Sequence, residues 1–576
     1  MFPERERALE PIALPALPPS SRPARACPWA SQSTKSNGIE PAYPSLTIAL
    51  RLSTCKIDTY PAKAHARRLA GKLDAKDGTI AIAANPSQLY PKSDLSVPFR
   101  QDRDFYYLTG SNEPGQYVTY DIGRDTLKLW LPSIDESQVV WTGRGSTIEE
   151  ALEKYDIDEA EYLEPSGSRQ DGMRYPRANL IRWLHARATT ARIGVPCGAD
   201  SRPLFLMDYS PSALEHWGLD CRILNEEPHS CIAEGKLRYA LNACRVIKDD
   251  HEISLIKHAN KITTEAHLTA LRGLHSFTTE AEVDAAYTGT CIARHAKEQA
   301  YDPIVGSGQN ACVFHYSANN EAFRDSQTCV MDAGCNVDCY ASDVTRTFPL
   351  NKAKPGHWPS KEAEEVYQLV EKVQEACIEA LGPGRDFIQV VLLARRLTLE
   401  GLMALGVLKG TFEEIWKAGT VIGFFPHGLG HHLGLDVHDV SPIPHPPLPR
   451  AVAASADRPF TPFFGLPKQF DFADAARYAE ETSTSIPTSR LEPGMVITIE
   501  PGCYFNKVLL EHFFLNNPAH SKFIDRDVLD RYWKVCGVRI EDDILITSDG
   551  IENLTTTPKG EKMLEIIRES ARSARR

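Results

Sequence analysis

Four stretches of the 576-residue chain gather side chains that bind cations or move protons. Between Met331 and Pro349, Asp332 and Asp343 flank a centre bearing Gly334, Asn336 and Asp338, the pattern of two β-type arms joined by a turn. A turn centred near Val337 and Asp338 would set the two carboxylates opposite one another. Facing carboxylates repel unless one is protonated or a cation lies between them. Two aspartates beside a turn are also commonly just solvated, so this pair alone decides nothing. Between Phe425 and Asp439, His427, His431, His432 and His438 are interleaved with glycines. Glycine lets a backbone approach a ligand closely, and imidazole suits Zn, Mn or Co. A polar loop with ordinary histidines is the competing reading, and the HExxH pattern is absent because Gly428 follows His427. Leu491–Gly502 reads as a turn, an apolar strand, and Glu500 at the strand's end, where a carboxylate is costly to bury without a cation or a proton. In Gly537–Ile544, strand alternation puts Arg539 and Glu541 on one face, which a surface ion pair would also explain.

The elements that must hold these residues fall into two blocks. From about Lys56 to residue 235, short β-type runs (Thr79–Ala83, Val118–Asp121) alternate with helical ones such as Ile148–Lys154, and an α/β domain is expected. Its most distinctive stretch, Phe99–Gly110, reads as a strand edge and turn packed by aromatics. From about residue 236 to 576 a second domain is expected. Asp249 or Asp250 can cap a helix whose apolar face runs through Ile253, Ile256, Ala259 and Ile262. A second helix is expected over Lys361–Leu381, with Val366, Leu369, Val370, Val373, Cys377 and Leu381 in one stripe and Gly382-Pro383-Gly384 as its stop. Strand-like runs at Thr328–Asp332, Asp343–Phe348, Met495–Glu500 and Val538–Thr547 make this block α+β. The stretch from Ser441 to about Arg490, rich in Pro, Ala and Ser, is expected to be a surface insertion with little structure.

Composition excludes several classes. The formal charge of −12 argues against a general nucleic-acid binder, which needs a basic face. No apolar run approaches the roughly 18–20 residues that span a bilayer. Fourteen cysteines are scattered from Cys27 to Cys536 without a CxxC pair, so free thiols in a reducing compartment, the cytoplasm, are expected. Residues 1–55 read as a disordered extension to which no function is assigned; Glu4, Glu6 and Glu10 argue against a mitochondrial presequence.

Taken together and in order (Asp, Asp, His, strand-end Glu, Arg-x-Glu), the set resembles the metallopeptidase branch of the pita-bread fold. Within it the chain is similar to Xaa-Pro aminopeptidases (aminopeptidase P) and Xaa-Pro dipeptidases (prolidases), over roughly residues 60–560. The likeness includes Phe99–Gly110 and the run Ile304-Val305-Gly306-Ser307-Gly308 leading to His315-Tyr316. It implies a pita-bread catalytic domain behind a smaller α/β N-terminal domain, and two divalent ions, most often manganese, with zinc or cobalt as substitutes. Asp343, Glu541 and a hydroxide would bridge the ions, with Asp332 completing one shell and His431 and Glu500 the other. Two ions about 3.5–4 Å apart would activate that hydroxide and polarise the scissile carbonyl.

The implied substrate is a peptide with a free N-terminus and a penultimate proline, whose Xaa-Pro bond is a tertiary amide without an N–H. The resemblance gives Glu500 the proton transfer, His438 the developing oxyanion, and His315 and His427, with His438, the substrate cleft. Arg539 would orient the carboxylates, and a homodimer is common in the family. Prolidases also carry a basic residue shortly before the Leu-Glu-Pro-Gly turn; here Ile486 takes that place and only Arg490 is near, which favours an aminopeptidase over a dipeptidase. Binding proteins of the same fold have usually lost several ligands, and creatinase-like enzymes work without metal; all five ligand types are present here.

Overall fold

Strands of which the central three are buried on both faces build the first sheet, in a computed structural model that describes residues 59–164, 178–188, 204–206, 236–441 and 490–576. The expected extension at 1–55 and nearly all of the expected insertion at 441–490 lie outside the described residues. Strands β1 (Thr79–Ala83), β2 (Tyr117–Asp121), β3 (Thr126–Leu131), β4 (Glu159–Tyr162) and β5 (Leu204–Phe205) lie in the order β4-β3-β2-β1-β5. The central three are antiparallel, and β4 and β5 join in parallel at the edges. Helix Ala62–Lys72 sends Ala62, Ala66 and Leu69 into a core shared with Ile80, Val118 and Leu129.

Phe99–Gly110 departs from its expected strand and turn: Arg103–Thr109 is a helix. Asp102 caps it by accepting the Phe105 amide, and Gly110 ends it in the left-handed conformation at φ 66°. Its aromatics are therefore not a strand edge; Phe105, Tyr107 and Leu108 are fully enclosed on a short helix.

The second block wraps helices around small antiparallel sheets. Helix Asp250–Gly273 starts as expected, with Asp249 as the cap and Glu252 returning its carboxylate to the Asp249 amide. Strands β6 (Ile304–Ser307), β7 (Thr328–Asp332) and β10 (Thr345–Pro349) form one sheet, ordered β10-β7-β6, and the hairpin β8 (Asn336–Val337) and β9 (Tyr340–Ala341) continues from it. Strands β11 (Val496–Ile499), β14 (Asp542–Ile546) and β15 (Ile551–Asn553) form a second, and β12 (Gly502–Tyr504) pairs with β13 (Gly537–Arg539). The single strand expected over Val538–Thr547 is thus two, broken at Ile540 and Glu541. Helices Lys361–Glu379, Phe387–Ala404 and Gly560–Ala574 flank these sheets, the first stopping two residues before the expected Leu381. Among the described residues no helix is long and apolar enough to cross a membrane.

His65 ties the two blocks together. Its Nδ1 lies 2.8 Å from the Tyr107 carbonyl oxygen and its Nε2 2.8 Å from Asp249 Oδ2, with its ring stacked on Tyr107. Both nitrogens face acceptors, so the imidazolium, which donates from both, fits best. Burial pushes the His65 pKa down, but the Asp249 hydrogen bond and the nearby Glu252 charge outweigh it and raise the value. A raised folded-state pKa stabilises the protein below the unfolded value and stops doing so as pH climbs through the folded one. His65→Gln is therefore expected to lose about 2 kcal/mol at pH 6 and distinctly less at pH 9 in denaturant titrations. Equal losses at both values would remove the ion pair from the account.

Candidate metal centre

Strand register decides how the first two carboxylates meet. In the β7–β10 ladder Asp332 pairs with Thr345, and the turn falls on Asp338 and Cys339, at φ 45° and 67°. Two successive positive φ values are what a tight hairpin connection demands. The turn is thus one position later than the expected Val337–Asp338, and Asp332 and Asp343 are diagonal neighbours on one face instead of direct partners. Gly334 makes this possible, because a Cβ there would sit 1.7 Å from the Ser342 carbonyl oxygen.

The histidine loop reaches the site by running beside β11. The Thr498 amide donates to the His431 carbonyl, and the Glu500 amide to that of Leu429. Gly430 has no room for a side chain, with an added Cβ 1.9 Å from the Thr498 carbonyl oxygen. This pairing carries His431 and Glu500 to the same place. Glu541 arrives through the break between β13 and β14, its amide held by the Thr345 carbonyl.

The five expected ligands converge. His431 Nε2 is 3.4 Å from Asp343 Oδ2 and 3.7 Å from Glu500 Oε1. Ligand atoms of Asp343, His431 and Glu541 all lie within 4.8 Å of one another. Arg539 donates from Nη2 to Asp332 Oδ2 at 2.6 Å and from Nε to the Thr345 hydroxyl, which in turn donates to Glu541 Oε2.

The donor set fits divalent cations on three counts. Burial, followed by the neighbouring carboxylates, drives the pKa values of Asp343, Glu500 and Glu541 well above the carboxylate range, so the cluster of negative charge is uncompensated by protein groups alone. Glu541 Oε1 is buried with no hydrogen-bond partner, a lone pair available to a metal. His431 has its Nδ1 3.0 Å from the His432 carbonyl oxygen, so it donates there and keeps the Nε2 lone pair facing the acids. Oxygen-rich ligation with one imidazole and no thiolate suits a hard or borderline ion.

The remaining expected residues surround this cluster. His427 Nδ1 is 2.7 Å from the Gly428 carbonyl, so it carries the proton, and Nε2 accepts from the Tyr504 hydroxyl at 2.8 Å. Burial and the Arg539 charge push its pKa to about 3, leaving it neutral. The His438 ring lies 4.2 Å from that of His431, and the His431 charge and burial lower its pKa to about 4. His315 is exposed on the loop after β6, close enough that its charge acts on both His427 and His438. Ile486 lies outside the described residues, and Arg490 is a surface residue paired at 3.7 Å with Asp386.

Sequence reasoning passed over two side chains. The Tyr301 hydroxyl lies 2.5 Å from Asp332 Oδ1 and 2.6 Å from Asp343 Oδ1, between the two acids. Tyr504 accepts from Arg539 Nη1 at 3.0 Å while donating to His427. Nothing in the spacing around Tyr301-Asp302-Pro303 marks it. Tyr504 could have been found, since alternation from Gly502 along the short strand after Glu500 directs it towards the same region.

Comparisons with known proteins extend this geometry. The model of metallopeptidase family M24 matches residues 254–548, and that of the aminopeptidase P N-terminal domain matches residues 62–170. The chain is 44% identical over 519 residues to a probable Xaa-Pro aminopeptidase of Pyrenophora tritici-repentis, covering 89% of this chain and 72% of that protein. It is 41% identical over 535 residues to a probable Xaa-Pro aminopeptidase of Aspergillus clavatus, covering 93% and 98%. Among solved structures, a variant of Escherichia coli aminopeptidase P in complex with substrate is 26% identical, with TM-score 0.65 over 90% of this chain and 99% of that one. The zinc-substituted Escherichia coli enzyme in complex with product is 24% identical with TM-score 0.65, over 89% and 99%, a likeness of fold.

Tyr301→Phe removes the hydroxyl that orients two of the acids and is expected to weaken divalent-ion binding by about tenfold, read by calorimetric titration of the metal-free protein. An unchanged dissociation constant would show that the hydroxyl does not shape the site.

Proposed function

The chain belongs to metallopeptidase family M24, and we propose that it works as a metal-dependent Xaa-Pro aminopeptidase, removing the N-terminal residue that precedes a penultimate proline. The single observation carrying this reading is the convergence of Asp332, Asp343, His431, Glu500 and Glu541 in one cluster, all but the partly exposed Glu500 buried, with the Glu541 Oε1 lone pair unused. These five would hold two divalent ions, with manganese favoured by the ligand chemistry. When bound, the ions supply Lewis acidity to the scissile carbonyl and to the attacking water.

The protein's own residues do the rest. Glu500, at the strand's end with its Oε1 3.7 Å from His431 Nε2, is placed to take a proton from the attacking water and hand it to the departing proline nitrogen. That transfer matters for this bond because the tertiary amide nitrogen carries no hydrogen and leaves poorly as an anion. Neutral His438 donates to the developing oxyanion. His427, with its tautomer fixed by Gly428 and Tyr504, lines the substrate cleft with His315 and Phe314, whose ring is 5.4 Å from that of His427. Arg539 holds Asp332 in place and, through Thr345, Glu541.

Placing Arg490 on the surface supports peptides of variable length over strict dipeptides. We assign residues 56–235 to the N-terminal domain and 236–576 to the catalytic one. Nine described cysteines are buried and unpaired, which suits a reducing compartment, and the cytoplasm is the one we propose.

The wild-type protein loaded with Mn²⁺ is expected to cleave Xaa-Pro-Yaa tripeptides and to lose that activity in chelator. Asp343→Asn and Glu541→Gln should each reduce kcat by at least about a thousandfold with circular dichroism unchanged. Near-normal turnover in either variant would refute the metal role. A Xaa-Pro dipeptide should be the poorer substrate by kcat/KM; the reverse order would make the enzyme a dipeptidase.

A further inference from the structure

One carboxylate outside the metal cluster is saturated with donors in a way that helix capping does not require. Glu280 opens helix Glu280–Ala293 and is fully enclosed, yet the cap of that helix is Thr279, whose hydroxyl accepts the Glu282 amide. Glu280 Oε1 accepts from the Ser307 amide at 2.7 Å, the Ser307 hydroxyl at 2.8 Å and the Asn310 side-chain amide at 3.0 Å. Its Oε2 accepts from the Tyr316 hydroxyl at 2.8 Å and the Glu321 amide at 3.0 Å. These five donors lie on either side of a short span containing Phe314 and His315. Backbone bonds fix the far end of the same loop, from the Glu280 amide to the Glu321 carbonyl and from the Phe323 amide to that of Thr278.

The span so held is the one that reaches the site. The Phe314 ring packs edge-on against His427 and against Tyr504, at 5.4 and 4.9 Å between centroids. We infer that Glu280 is a positioning residue for substrate binding: its carboxylate clamps both ends of the 307–321 loop and thereby sets Phe314 and His315 against the cleft. Its carboxylate bonds to Ser307, Asn310, Tyr316 and Glu321 and to none of the five expected ligands. The inference rests on the aminopeptidase reading, since it needs that cleft to be the substrate's.

The chemistry makes the clamp sensitive to isosteric change. In Glu280→Gln one acceptor oxygen becomes an NH2 group, which must face either the Ser307 amide or the Glu321 amide, and neither N–H can reverse its role. Glu280→Asp keeps the charge but shortens the reach, so it can serve one end of the loop and not both.

The experiment compares steady-state kinetics on a Xaa-Pro-Yaa tripeptide in the Mn²⁺-loaded full chain. Glu280→Gln is expected to raise KM about tenfold with kcat within about threefold of wild type and the bound-metal count unchanged. Tyr316→Phe, which removes one donor with little risk to folding, should raise KM about two- to threefold. In a Phe314→Ala/His315→Ala background the Glu280→Gln change should add almost nothing, because the groups it positions are gone. Wild-type KM values in both Glu280→Gln and Tyr316→Phe would overturn the proposal, as would an undiminished effect of Glu280→Gln in the double-alanine background. If wild type itself shows no chelator-sensitive cleavage, it is the aminopeptidase reading that has failed, and the two failures are thus distinct.

Discussion

Four carboxylates, those of Asp332, Asp343, Glu500 and Glu541, share a space from which water is largely excluded, and their mutual repulsion is the condition that every neighbouring group answers. Arg539 offsets part of it at Asp332. Tyr301 and Thr345 supply single donors, and His431 contributes a lone pair instead of a charge. Protein groups alone leave Asp343, Glu500 and Glu541 strongly biased towards protonation. Divalent metal bound among them would reverse that bias, so side chains that look destabilising in isolation suit a common binding site.

The frame that holds this charge in place is itself ionic. Arg245 reaches Asp104 on the Arg103–Thr109 helix at 2.9 Å and both Asp436 and Asp439 on the histidine loop at 2.7 Å. Lys248 adds a second contact to Asp439 at 2.9 Å. Burial pushes the Asp439 carboxyl up, but Lys248 and Arg245 together hold it at about 2. Through this cluster the N-terminal sheet domain braces the loop that carries His431 and His438. The small domain therefore contributes to the geometry of the site without placing a residue among its expected ligands.

The side chains that converge were legible in the sequence only as an ordered set resembling a known family, because an aspartate pair around a turn, a glycine-spaced histidine run and a glutamate at an apolar strand's end each have a plainer reading alone. Elements with strong periodicity were legible directly, as in helix Asp250–Gly273 with its capping box. What stayed hidden depends on register and tertiary context. A shift of one residue in the turn, to Asp338–Cys339, moved Asp343 from opposite Asp332 to a diagonal position. The Phe99–Gly110 run resembles a strand edge because its aromatic residues favour strands, while a cap at Asp102 and a left-handed Gly110 enforce a short helix. Tyr301 carries no local signature at all; only the folded chain brings its hydroxyl between two acids.

The hairpin through Asp338 and Cys339 also orders events in time. Closing it costs little entropy, because few residues separate its arms, whereas Glu500 and Glu541 come from far along the chain. One half of the cation cage is thus a local structure that can assemble early, and the other half is the product of late, non-local closure. The aspartate pair is therefore the low-contact-order part of the site, and the complete cluster depends on closing the chain from residue 332 to residue 541.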